Sequence, residues 1–278
     1  LASVESSELI TGVCTHALEF RHRVMKREAE EMTMQNRYAG DIGDYSKLGL
    51  LRTLHLAGFS IGLNWYLTPD ETHNSDGRHV NYLYQDEYRA CDPALWTALG
   101  SLVRLDNREV RYMESDDILQ ATFFSDCLDF RRKKKAKRIE LRSEWFAKSL
   151  DVMAGNEIVC VDPDNGLVVS SAKGKPKENK YVLPEELASY YAQGSTVVYY
   201  QHKARYKDEH YIGQLEELLR REDLPSVSGM VLKFEKVSQR YYMFLIQPKH
   251  KKTLEKAVKG MLATAWGDYF RQLYPVKA

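Results

Sequence analysis

The chain is expected to fold as a doubly wound α/β domain: a mainly parallel sheet with helices on both faces and an antiparallel hairpin towards the C-terminus. Three observations predict this. From Gln35 onward, apolar runs of strand length alternate with amphipathic stretches of helical period, the mark of strand–helix–strand units. One run, "EIVCVD" (157–162), is almost continuously apolar, as a parallel strand covered on both faces must be. Two later runs, "GMVLKFEKV" and "RYYMFLIQP", are separated only by Ser238-Gln239, which suits a hairpin.

In chain order, "KLGLLRTLHLAG" (47–58) has helical spacing and a terminal glycine, a helix with a glycine C-cap. Either Asp44 or Ser46 is the simplest N-cap for it. "SIGLNWYLT" reads as a strand entering the polar loop "PDETHNSDGRH". "CDPALWTALGSLV" is a helix with Asp92 as N-cap and Pro93 at its first position. "EVRYMES" is expected to be a strand and "EWFAKSLDVMAG" a helix, followed by the strand at 157–162. The helix "LPEELASYYAQG", the strand "STVVYYQH" and the helix "YIGQLEELLRRE" come next. After the hairpin, "TLEKAVKGMLATAWGDYFRQL" is expected to close the chain as one helix.

Such a sheet with a terminal hairpin is the layout of the methyltransferase-like branch of doubly wound folds. Ligands there bind beyond the carboxyl ends of the strands, at the point where strand order reverses. Loops 68–79, 114–117, 162–177 and 201–206 are therefore expected on one rim. Residues 1–33 have a thin apolar face and are expected to be an appendage, with Met34 an internal start and the domain spanning 34–278.

Composition narrows the classes. The chain of 278 residues carries a formal net charge of +1, so bulk electrostatics favour neither nucleic acid nor a membrane surface, and such a role needs a local patch. Cys14, Cys91, Cys127 and Cys160 are far apart, without metal-ligand spacing; Cys160 reads as a small core residue. No apolar run has membrane-spanning length, and a cytoplasmic location is expected.

Six segments carry candidate chemistry. Asp162 ends the central strand, where a carboxylate faces the ligand crevice; Pro163 fixes the chain's exit, and Asp164 and Asn165 follow. A carboxylate there is costly without a partner, although Asp-Pro-Asp-Asn-Gly is also a good turn sequence. The loop 68–79 holds Asp70, Glu71, His73, Asn74, Asp76, Gly77 and His79, a density suited to cofactor contact or a divalent cation. Asp41, Asp44 and Lys47 lie among glycines that permit close backbone approach, a lip for a phosphate or amino group. His202 ends "VVYYQH" and is a candidate general base or metal ligand. Lastly, the run Arg131, Arg132, Lys133, Lys134, Lys135 and the cluster with Lys173 and Lys175 are candidate phosphate contacts.

The order of these pieces resembles the bacterial large-subunit ribosomal RNA adenine-amine methyltransferase family. "AGDIGDYSK" (39–47) is similar to its Ala-Gly-Asn-His-Ala-Asp segment leading to Lys, "HNSDGR" (73–78) falls at its His-Ala-Gly-Ala-Gly-Arg cofactor turn, and "DPDN" (162–165) at its Asp-Pro-Pro-Tyr loop. The resemblance covers roughly 35–250. It implies that S-adenosylmethionine lies over 73–78, contacted by His73, Asp76 and Gly77, and that Asp162 holds the target amine of RNA or DNA. Asn165 stands where the family has an aromatic, so a base-stacking surface must come from elsewhere. Two other functions fit the residues. In a metal-dependent nuclease or phosphodiesterase, Asp70, His73, Asp76, Asp162, Asp164 and His202 would bind a cation that activates water. In a non-catalytic nucleic-acid or partner-binding module, only the fold would remain.

Overall fold

The computed structural model describes residues 39–69, 79–115 and 117–275. The proposed appendage 1–33 and the loop residues Asp70, His73, Asn74, Asp76 and Gly77 lie outside them.

In order, the elements are α1 (Ile42–Leu56), β1 (Ile61–Asn64), the short α2 (Asp86–Arg89), α3 (Pro93–Arg104), β2 (Thr122–Phe124), α4 (Lys135–Met153) and β3 (Ile158–Val161). There follow β4 (Gly166–Leu167), β5 (Tyr181–Val182), α5 (Pro184–Ala192), β6 (Thr196–His202), α6 (Asp208–Leu219), β7 (Ser228–Phe234), β8 (Arg240–Ile246), α7 (Lys251–Leu262) and β9 (Phe270–Tyr274). The main sheet has seven strands in the order β2-β1-β3-β6-β8-β7-β9. The first four run parallel. β8 is antiparallel to β6 and β7, and β9 is antiparallel to β7. The protein is therefore a mixed α/β structure with a mainly parallel, Rossmann-like sheet.

Alternation along the strands divides the core into two layers. Ile61 and Leu63 of β1, Ile158 and Cys160 of β3, and Tyr242, Phe244 and Ile246 of β8 pack with residues of α1, α3 and α7. Their neighbours Val159 and Val161, and Tyr241, Met243 and Leu245, pack with α4, α5 and α6. A period of two sends successive side chains to opposite faces, and β3, buried along its whole length, supplies both layers. Cys160 is 1% exposed, and burial drives its thiol pKa far above the usual range, which suits a core residue.

Three sequence expectations change. The 109–115 segment is not a strand: Val110–Tyr112 forms a 3-10 turn, and the strand beside β1 is the exposed-to-buried "TFF". The closing segment is not one helix. After α7, Thr264 accepts from the Trp266 backbone N–H, and a 3-10 turn leads into β9, an edge strand on β7. Helical period over 253–262 is genuine, but the Thr264 cap stops it. Finally, α1 starts earlier than Asp44 or Ser46. Its N-cap is Asp41, whose Oδ1 accepts from the Gly43 N–H at 2.6 Å and the Asp44 N–H at 3.1 Å. That cap places Asp44 and Lys47 inside the helix, one turn apart on one face. The expected caps of α3, Asp92 and Pro93, are present.

Candidate functional site

A cleft of about 450 Å³ opens at the carboxyl ends of β1, β3 and β6, where the chain order reverses between β1 and β3. Its walls combine the start of α1 (Asp41, Gly43, Asp44, Lys47), the exit of β1 (Trp65 to Thr68), the loop after β3 (Asp162 to Asn165), and Lys180, Tyr200, His202 and Arg240.

At its centre Lys47 Nζ donates to Asp162 Oδ2 at 2.5 Å and to Asp44 Oδ1 at 2.7 Å, and lies 4.4 Å from the centre of the Trp65 ring. Asp162 therefore has the partner that a carboxylate at this strand end needs. Its backbone N–H continues the ladder by donating to Asn64 O at 3.0 Å. Burial raises the Asp162 carboxyl above the ordinary range, and the Lys47 ammonium offsets only part of this. For Lys47, burial disfavours the charge, but Asp162 and Asp44 together outweigh it and hold its pKa above the ordinary lysine value. Burial likewise raises Asp41, with Arg240 opposing and Asp44 reinforcing the rise.

The loop after β3 is clamped rather than loose. Asn165 N–H donates to Lys180 O at 3.0 Å, and β4 pairs parallel with β5 just beyond it. The Gln201 side chain of β6 accepts from Leu167 N–H at 2.9 Å and donates to Asn165 O at 3.0 Å. Gly166 takes φ +99°, and a Cβ there would collide with the Gln201 amide, so only glycine suits this turn. Lys180 Nζ lies 3.5 Å from Asp164 Oδ2.

The exit of β1 has no run of glycines. Tyr66 adopts φ +50°, a left-handed conformation uncommon for a large side chain, and Asn64 Oδ1 accepts from its N–H at 2.9 Å. Below it, Asn64, Ser149, Tyr190, Tyr66, Glu186 and Arg142 form a buried hydrogen-bonded network. Tyr200 and His202 stand together on the β6 wall, with the Tyr200 hydroxyl 3.1 Å from His202 Nδ1. Burial pushes the Tyr200 hydroxyl up to about 12, so it stays protonated.

The structure thus gathers Asp41, Asp44, Lys47, Asp162, Asp164, Asn165 and His202 around one cleft. It places Arg131, Arg132, Lys133, Lys134 and Lys135 elsewhere, at the exposed entry to α4. Lys173 and Lys175 lie beside that entry: Arg138 Nη2 donates to Gly174 O at 2.8 Å, joining the two basic segments into one patch. Sequence reasoning overlooked Trp65, Thr68 and Arg240. The signal for Arg240 was a lone charge opening an otherwise apolar strand. No protein-family model matches the chain, and no curated protein matches its sequence.

Proposed function

We propose that this chain is a nucleic-acid-modifying enzyme on a methyltransferase-like fold, and that it methylates the exocyclic amine of a base with S-adenosylmethionine as donor. One observation carries the reading: Lys47 joins the 39–47 segment to Asp162, so the two motifs behind the family resemblance share one cleft at the reversal of strand order. The strand order, with antiparallel β8 between β6 and β7, supports the same type of fold.

The residues present fit the cofactor. The cleft's volume falls in the range of small-molecule sites. Thr68, 1% exposed, lines it with a hydroxyl that has no hydrogen-bond partner among the described residues, a polar group that a ligand would satisfy. Thr68 would contact S-adenosylmethionine, which supplies an electrophilic methyl group when bound. Asp162 accepts hydrogens of the target amine and takes its proton, a task helped by a carboxyl whose basicity burial has raised. Lys47 keeps that carboxylate ionised and fixed through Oδ2, leaving Oδ1 for the amine. Tyr200 offers an aromatic face on the β6 side of the cleft, in place of the aromatic that Asn165 lacks.

The metal-dependent alternative has weaker support. Lys47 Nζ already occupies the position between Asp44 and Asp162 that a cation would take. Among the described residues no group of three His, Cys, Asp or Glu side chains is arranged to hold a metal ion, while Asp70, His73 and Asp76 of that alternative lie outside them. Calorimetric titration with S-adenosylmethionine, with and without magnesium or manganese, tests the proposal. Binding that needs no divalent ion is expected; no binding under either condition overturns it.

A further inference from the structure

The Arg240 guanidinium is placed as no structural arginine needs to be. Arg240 opens β8 opposite His202, is 6% exposed, and lines the cleft. Its Nε donates to Ser238 O at 3.0 Å. Among the described residues, that carbonyl is the only hydrogen-bond acceptor it has, and no carboxylate forms an ion pair with it. The Tyr200 ring lies 6.0 Å away, and the Asp41 and Asp44 carboxylates stabilise its charge without accepting a hydrogen bond from it. A guanidinium carries five N–H donors in a planar fork, and here only one of them has an acceptor among the described residues while the Nη donors face the cleft. By contrast Arg142, equally buried, makes four hydrogen bonds, two to Glu186 and two to carbonyls.

The position is also built. Arg240 Nη1 rests against the backbone of α1 at Gly43, where a Cβ would collide with it. α1 is held there by the Ser46 Oγ to Tyr242 OH contact of 2.7 Å. The fork is therefore fixed before any ligand arrives and keeps its Nη donors for one.

We propose that Arg240 is the oxyanion receptor of the cleft, engaging through its Nη donors a phosphate of the nucleic-acid strand or the carboxylate of the methyl donor. Either group matches the fork in a bidentate manner. The existence of the receptor does not depend on methyl transfer. Only the naming of its two candidate ligands rests on the reading above.

The test uses the full chain and three probes: inorganic phosphate, S-adenosylmethionine and a short adenine-containing oligonucleotide, each titrated into wild type, Arg240→Gln and Arg240→Lys. Phosphate binding is expected to weaken at least tenfold in Arg240→Gln, with partial recovery in Arg240→Lys. An accompanying loss confined to the oligonucleotide identifies a strand phosphate as the natural group; one confined to S-adenosylmethionine identifies its carboxylate. A folded Arg240→Gln protein that binds all three probes as wild type does overturns the proposal. If Arg240→Gln does not fold, Gly43→Ala decides. It keeps the charge but displaces the fork, so it must weaken phosphate binding, and unchanged binding overturns the proposal. Because the phosphate arm needs no cofactor, failure of wild type to bind S-adenosylmethionine sinks the methyl-transfer reading and leaves this test intact.

Discussion

Replacing Lys47 by methionine removes one ammonium and nearly nothing of the side chain's volume. In the folded protein this strips the counter-ion from two carboxylates, Asp44 at 2.7 Å and Asp162 at 2.5 Å. The Asp44 side chain is 8% exposed and that of Asp162 20%, so water reaches them poorly. Removing one partner of such a buried pair costs about 3–5 kcal/mol, because the remaining charge is left uncompensated. Partial exposure of Asp162 places the expectation at the lower end, about 3 kcal/mol. For a chain of this size that is a drop of roughly 6–12 °C in Tm. The cause is separable by a double-mutant cycle in urea: adding Asp162→Asn to Lys47→Met removes one orphaned charge and must restore part of the loss. A Lys47→Met protein of wild-type stability, or a double variant no more stable than the single one, refutes the reasoning.

Other outcomes follow from the same structure. His250 is buried, with Nδ1 3.0 Å from Thr196 Oγ1 and Nε2 3.8 Å from Glu157. Burial and Lys249 hold its pKa below the ordinary 6.5, with Glu157 opposing. Its contribution is therefore present above pH 6.5 and is lost as pH falls through the lowered folded value, by at most about 1.4 kcal/mol per pH unit. Urea midpoints of His250→Gln must fall less steeply than those of wild type between neutral and mildly acid pH. Gly166→Ala combines φ +99° with the Gln201 collision and is expected to cost about 1–3 kcal/mol, measured by chemical denaturation, with S-adenosylmethionine binding weakened through the displaced loop. In the basic patch, replacing Lys133, Lys134 and Lys135 by Gln is expected to weaken single-stranded RNA binding. The slope of log K against log salt should fall by about 2, or roughly 0.7 per lost phosphate contact. An unchanged slope removes the patch from the interface.

Much of the architecture was legible because periodicity is a local property. β3 announced itself by an unbroken apolar run, and α3 by Asp92-Pro93. The start of α1 was not, since Asp41, Asp44 and Ser46 are all competent caps; only the fold decides which side chain turns back onto the helix. β2 and β9 were missed because short edge strands bury few side chains and leave a weak pattern. The site divides in the same way. Asp162 could be singled out because a carboxylate at a buried strand end requires a partner, yet nothing in the sequence says that the partner is Lys47, 115 positions away. Arg240 reaches the cleft because α1 and β6 close around it, which is tertiary information. The two basic segments were each visible, but their union at Gly174 was not.

The central claim is that the cleft around Asp162 and Lys47 transfers methyl groups to a base amine. Incorporation of labelled methyl from S-adenosylmethionine into adenine-containing RNA and DNA, for wild type and Asp162→Ala, tests it most directly. The account predicts incorporation by wild type and a loss of about 100-fold or more in Asp162→Ala, with S-adenosylmethionine still bound. Incorporation by Asp162→Ala at the wild-type rate, or none by a wild-type protein saturated with the cofactor, contradicts it.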